Sequence, residues 1–160
     1  MEDRQITSIY TDGSSRGNPG PGGWGAILKY REHTKELSGS YRRTTNNRME
    51  LLAVINALSN MKKDGAVIEV YSDSKYVVDS VNKNWVFNWE KEGFGRRTNA
   101  DLWRRFLELY RRFEVKMIWV KGHASNMYNN RCDTIATCAS SNENREFWLV
   151  DEEYELLKES

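Results

Sequence analysis

The sequence predicts an α/β fold: one five-stranded mixed sheet, an antiparallel meander followed by parallel strands, with helices on both faces. Three observations carry this reading. Residues 6–12, 24–30 and 35–41 are strand-like runs joined by short polar segments, the pattern of a meander. From residue 46 the apolar period lengthens to that of a helix. Two more β-branched runs, 67–72 and 115–120, then alternate with helical segments, and strands separated by helices pair in parallel.

The first strand runs through Ile6, Ile9 and Tyr10 into Asp12. Strands disfavour aspartate, but one at a strand end before a glycine can aim its carboxylate out of the sheet. Arg16 to Gly23 holds both prolines and four of the eleven glycines, and reads as a loop. Trp24 to Tyr30 and Lys35 to Tyr41 complete the meander around the turn at Arg31-Glu32-His33-Thr34. Thr45 or Asn46 caps a helix reaching about Met61, with Val54, Ala57, Leu58 and Met61 on one face. Glu50 projects from the middle of that apolar face, where an acid is costly without a partner.

After the Asp64-Gly65 turn, the strand 67–72 ends in another aspartate, Asp73, and a helix starts at Ser74 with Val77, Val78 and Val81 inward. Trp85-Val86-Phe87-Asn88-Trp89 and the charged, glycine-containing run after it read as a short helix plus loop. Thr98, with Asp101 as a capping-box partner, opens a helix whose Leu102, Phe106, Leu109, Tyr110 and Phe113 are core. The fifth strand, Val115 to Val120, leads through the loop 121–126 to a last helix from about Asn129 to Ser140. Cys132, Ile135, Ala136 and Ala139 face inward there, with Asp133 at the edge of the stripe.

The chain has 160 residues and a net charge of +1, so bulk charge does not announce a nucleic-acid partner. No apolar run approaches a membrane span, and the charged N-terminus is unlike a signal peptide, which points to a cytoplasmic location. Cys132 and Cys138 on one helix are too far apart in rise for a disulfide, and two cysteines with two histidines at these spacings make no zinc motif.

Four acids stand out: Asp12, Glu50, Asp73 and Asp133. Parallel pairing of the first and fourth strands brings Asp12 and Asp73 to one end of the sheet, where such folds place ligands. Gathered carboxylates repel, and hard divalent cations with oxygen ligands relieve the repulsion. A single Asp at a strand end is more often a turn or helix cap than a ligand, Glu50 on its apolar face is the stronger signal, and His123 by itself reads as an ordinary loop histidine.

Read together, several runs resemble the successive signatures of type 1 ribonuclease H. They are Thr11-Asp12-Gly13-Ser14, the 17–23 loop, Thr44 to Leu51, Ser72-Asp73-Ser74, Val120-Lys121-Gly122-His123 and Asn130-Arg131-Cys132-Asp133, in order over about residues 6–140. The resemblance implies a ribonuclease H-like fold, with residues 1–142 as the catalytic domain and 143–160 as an acidic, partly ordered tail. It also implies an endoribonuclease that hydrolyses the RNA strand of RNA/DNA hybrids without sequence preference, leaving 5′-phosphate and 3′-hydroxyl ends. The implied cofactor is Mg²⁺, two ions per site in turnover, or Mn²⁺. The implied partner is the hybrid duplex, with no membrane and no obligate protein partner, the chain acting as a monomer.

By the same resemblance Asp12 is shared by both ions, Asp133 serves the ion that activates water, and Glu50 and Asp73 serve the leaving-group side. His123 assists proton transfer or product release. Gly13 and Ser14 lie against ribose hydroxyls, and Asn18, Asn46 and Asn47 read the minor groove. Trp85 and Trp89 take the DNA strand, with core packing as their alternative; Arg43, Thr45 and Asn99 form a pocket for a DNA phosphate. Two departures stand out. Glu90-Lys91-Glu92 replaces a basic run, predicting weaker hybrid binding, and Lys75 stands where many relatives carry glutamine, placing a cation near phosphate. A non-catalytic hybrid-binding module and a DNA strand-transfer enzyme are the competing readings; the full acid set argues against the first, and the asparagines with His123 against the second.

Overall fold

Strand β1 (Ile6–Ser15) sits at the centre of the sheet, and everything at the site is placed relative to it. The computed structural model describes residues 5–121, 126–141 and 148–159. β1 pairs antiparallel with β2 (Gly20–Tyr30), which pairs antiparallel with β3 (His33–Thr44). On its other side β1 pairs in parallel with β4 (Val67–Ser72), and β4 in parallel with β5 (Glu114–Trp119). The order β3-β2-β1-β4-β5 is the mixed sheet expected from the sequence.

Helices α1 (Asn46–Ser59) and α5 (Met127–Ser140) pack on opposite faces of that sheet. Side chains of successive strand residues point to opposite faces. A Cβ on Gly13 would enter the α1 backbone at Met49 and Glu50, whereas one on Gly25, the partner of Asp12, would strike Ile135 of α5. Helices α2 (Lys75–Asn82), α3 (Trp85–Lys91) and α4 (Ala100–Tyr110) follow β4, and α4 covers the outer side of α1. The sequence put one apolar face on the first helix. Instead Arg48 to Ile55, Ala57 and Leu58 are all buried, because α1 lies between the sheet and α4.

Several boundaries differ from the sequence reading. Only residues 16–19 separate β1 from β2; Gly20 to Gly23 belong to β2. Their missing side chains make room for neighbours: a Cβ on Gly23 would meet Ala139 of α5. Thr98 does not cap α4. The N-cap is Asn99 in the left-handed region, φ 65°, without a side-chain cap bond because its amide is held by Arg48 and Tyr76, and Asp101 turns to Arg48 as well. α5 starts at Met127, not Asn129, since Asn126 Oδ1 accepts from the N–H groups of Tyr128 and Asn129 at 2.9 and 3.2 Å. Both cysteines are on α5 and free, Cys132 buried and Cys138 exposed.

The C-terminal segment is built into the fold. Leu149 bridges Tyr41 of β3, and α6 (Glu152–Glu159) follows. Asp151, 6% exposed, accepts from Arg48 Nε at 2.7 Å, Arg48 Nη2 at 2.8 Å and Thr44 Oγ1 at 2.8 Å. The other edge of the Arg48 guanidinium reaches Asp101 at 2.9 and 2.7 Å. Burial works against the guanidinium charge, but the two carboxylates outweigh it and hold the Arg48 pKa above its ordinary value. No helix among the described residues is long and apolar enough to cross a membrane.

Candidate active site

The parallel pairing of β1 and β4 ends at Tyr10 and Tyr71, so the residues just beyond, Asp12 and Asp73, emerge at the same end of the sheet. Glu50 joins them from the second turn of α1. Gly13 is the reason it can: with no side chain in the way, the α1 backbone at Met49 and Glu50 lies directly against β1. Carboxylate oxygens of Asp12, Glu50 and Asp73 all fall within 4.8 Å of one another. Ser74 caps α2 by accepting from Val77 N at 3.2 Å, so the Asp73 turn feeds straight into a helix.

Asp12 is 7% exposed and Glu50 5%. Burial is the largest cause raising the Asp12 pKa from 3.8 to about 7; the charge of Asp73 and contact with Asp133 add to it, while Glu50 and the Gly13 N–H pull back. That N–H donates to Asp12 Oδ1 at 2.9 Å. Burial also drives Glu50 well above its ordinary value, with Asp12 and Asp73 adding repulsion. Glu50 Oε2 is buried and has no hydrogen-bond partner among the described residues. Such a group is costly to leave as it is. The cluster therefore carries unspent acceptor capacity and repulsion that a cation relieves.

Asp133 lines the same cleft, of about 280 Å³, outside the close triple and on the exposed side of α5. Gly13, Ser14 and Asn46 also line it, and so do Lys121 and Asn129. Asn129 lies one helical turn before Asp133 and keeps a buried Oδ1 without a partner among the described residues. A larger cleft of about 890 Å³, bordered by His33, Lys35, Lys62 and Lys63, lies away from the acids. It is roughly three times the size of the acid-lined cleft, but its one acid, Asp64, is an exposed residue paired with Arg112.

The other residues singled out from the sequence divide into groups. Asn18 Oδ1 accepts from Asn46 N at 3.2 Å, tying the 16–19 loop to the start of α1. Asn18, Thr45, Asn47 and Asn99 line a neighbouring cleft of about 940 Å³; the exposed Arg43 does not. Thr45 caps α1 through Arg48 N, and the Asn99 amide is held inward between Arg48 Nη1 at 3.4 Å and the Tyr76 hydroxyl at 3.1 Å. Lys75 Nζ stands 4.8 Å from the Trp119 ring centroid. The two tryptophans separate. Trp85 is 41% exposed with Lys83 near its ring, whereas Trp89 packs on Trp103 at 6.1 Å under Arg97. His123 lies outside the described residues.

Sequence reasoning missed Arg48 and Asp151 as partners, 103 residues apart, and Asn129 and Trp119 beside the acids. Arg48 and Asn129 sat inside or next to recognised runs, but nothing local told which of those polar residues turns inward.

A family model described as RNase H matches residues 4–141. The chain belongs to the RNase H family. A relative named ribonuclease H from Syntrophus aciditrophicus is 50% identical over 133 residues, covering 80% of this chain and 76% of its own. The protein is thus a ribonuclease H. Among solved structures, LC9-RNase H1, described as a type 1 RNase H with the type 2 active-site motif, superposes with a TM-score of 0.78 at 28% identity. That match covers 100% of this chain and 83% of the other. LC11-RNase H1, crystallised in complex with an RNA/DNA hybrid, shares the fold with a TM-score of 0.61 at 24% identity, over 84% of this chain and 96% of its own. The architecture is the ribonuclease H-like fold.

Proposed function

We propose that this ribonuclease H hydrolyses the RNA strand of RNA/DNA hybrids by metal-assisted attack of water, leaving 5′-phosphate and 3′-hydroxyl ends. The observation that carries the reading is the triple Asp12, Glu50 and Asp73, with oxygens within 4.8 Å and a buried Glu50 oxygen lacking a partner among the described residues. This donor set fits a hard divalent cation. It is all oxygen, anionic and partly buried, and Mg²⁺ favours a few carboxylates with room left for water and phosphate. Asp12, Glu50, Asp73 and Asp133 would hold Mg²⁺, or Mn²⁺ in its place. Two such ions, when bound, clamp the attacking and leaving oxygens of an in-line phosphoryl displacement and neutralise the charge that develops.

The chain supplies the rest by position. Asp12 stays fixed by the Gly13 N–H, and Glu50 by the burial of α1. No protein nucleophile is required when water attacks. Ser14 and Asn46 border the acids and can donate to and accept from a ribose 2′-hydroxyl, the group that distinguishes RNA from DNA at a given sugar. Asn18 and Asn47, just outside, extend that polar surface along a minor groove without reading bases. Thr45, the Asn99 segment and Arg43 would meet a DNA phosphate, and the exposed Trp85 a DNA sugar; Trp89 supports the platform from below. Lys75 would reach a phosphate, and His123 would carry a proton or release product.

The test uses labelled RNA/DNA hybrid, duplex RNA and duplex DNA, each with Mg²⁺ or EDTA. Cleavage confined to the RNA strand of the hybrid and lost in EDTA is expected. Metal-independent cleavage, or equal cleavage of all three duplexes, would overturn the proposal.

A further inference from the structure

Trp119 belongs to no signature of the sequence, yet it touches two parts of the site. It is the last residue of β5 and pairs in register with Ser72, directly before Asp73. Its indole Nε1–H donates to the backbone carbonyl of Asp73 at 3.2 Å. Its ring lies under Lys75 Nζ, with 4.8 Å from nitrogen to centroid. The ring is not a core side chain, being 42% exposed. A large aromatic left half in water at a strand end is better explained by what it holds than by apolar burial.

We infer that Trp119 is a positioning residue for the proposed reaction, fixing the Asp73 turn through its indole N–H and the Lys75 ammonium through its ring face. Asp73 follows the last hydrogen-bonded residue of β4, and beyond it the chain turns into α2. Two anchors hold that turn from inside: Ser74 N donates to Ser72 Oγ at 3.1 Å, and Val120 N donates to Ser72 O at 2.9 Å. Both act on Ser72. The indole, from β5, reaches Asp73 itself. A carboxylate that must stay within 4.8 Å of Asp12 and Glu50 depends on that backbone staying in place.

The second contact acts on a different property. A lysine is a flexible point charge. Stacked over an aromatic face it spends more of its time at one place, two residues beyond Asp73. There it meets a phosphate of the nucleic-acid backbone, and each such neutralised phosphate adds to the salt dependence of binding. One side chain thus ties cation affinity to the Asp73 turn and duplex affinity to Lys75, and the two can be separated by substitution.

The inference rests on the proposed metal-dependent reading, and the experiment separates the two. Mn²⁺ binding is measured by calorimetry on the protein without nucleic acid. Hybrid binding is measured by anisotropy in EDTA across a salt series. Wild type, W119F, W119A and K75M are compared after melting curves establish that each is folded. W119F keeps a ring but loses the N–H, and Mn²⁺ binding should weaken about fivefold, the worth of one hydrogen bond, with hybrid binding unchanged. K75M should leave Mn²⁺ binding unchanged and lower the salt slope by about one. W119A should show both effects. Unchanged Mn²⁺ binding in W119F, or a wild-type salt slope in W119A, would overturn the inference. Failure of the wild type itself to bind Mn²⁺ would overturn the metal-dependent reading instead.

Discussion

Replacing Asp12 with asparagine removes one negative charge from the acid cluster while keeping the side chain's shape. In the folded protein without metal the Asp12 pKa is about 7, against an ordinary 3.8, chiefly because the group is buried and then because Asp73 and Asp133 lie close. A carboxyl raised in this way binds its proton more tightly when folded than when unfolded. Its contribution to stability is therefore fully present below pH 3.8 and lost as pH rises through about 7. At about 1.36 kcal/mol per pH unit, ionising Asp12 in the metal-free fold costs about 4 kcal/mol by pH 8. Asp12→Asn escapes that cost. For a chain of this length the gain corresponds to a melting temperature higher by roughly 10 °C. The assay is thermal unfolding in EDTA at pH 5 and pH 8. Wild type should lose more stability between the two than Asp12→Asn, which keeps only the Glu50 carboxyl raised by burial, so the variant is the more stable protein at pH 8. Saturating Mg²⁺ should close the gap by stabilising wild type, and hydrolysis by the variant should be lost. A variant that melts at or below wild type at pH 8 in EDTA, or shows the same pH slope, would refute the electrostatic account of the cluster.

Severing the tail's ion pair with Asp151→Ala leaves the Arg48 guanidinium buried with one carboxylate fewer. A loss of about 3–5 kcal/mol in urea unfolding is expected, and a loss under 1 kcal/mol would mean that Asp101 alone satisfies Arg48. Gly13→Ala places a methyl in the α1 backbone at Glu50; it should destabilise by about 1–3 kcal/mol and slow hydrolysis together, and full activity would show that the close approach is dispensable. At the end of α3 and in the loop after it, Glu90 pairs with Arg111 and Glu92 lies 3.9 Å from Arg97, so basic charge there is offset. Glu92→Lys should strengthen hybrid binding and steepen its salt slope by about one; an unchanged slope places the duplex away from this loop.

Much of the site was legible because its parts are local. Asp73 directly follows β4, and a polar residue on an apolar helix marks Glu50; Asp12, expected at a strand end, instead stands just past the last β1–β4 pair while β1 runs on to Ser15 beside β2. Alternation of strands and helices is enough to bring the two strand ends together, since parallel neighbours share a carboxyl end. The boundaries were less legible where tertiary packing overrode local preference. Glycines that read as loop are sheet in β2, where Gly22 leaves room for Thr44 and Met49 and Gly23 for Ala139 of α5, and the expected Thr98–Asp101 cap gave way to a buried guanidinium.

Chain order, periodicity and the recognisable runs by themselves determined the sheet, the family resemblance and which acids to gather. They did so because strand and helix periods, turn residues and strand-end acids act over a few neighbouring positions. Only the tertiary structure decided how close the acids come, which of them are buried, and what Arg48, Trp89 and Trp119 touch. Burial and charge proximity are sums over residues distant in the chain, such as Arg48 and Asp151 or Trp119 and Asp73. That is why the raised pKa of Asp12 and the burial of the Glu50 oxygen appear only once the chain is folded.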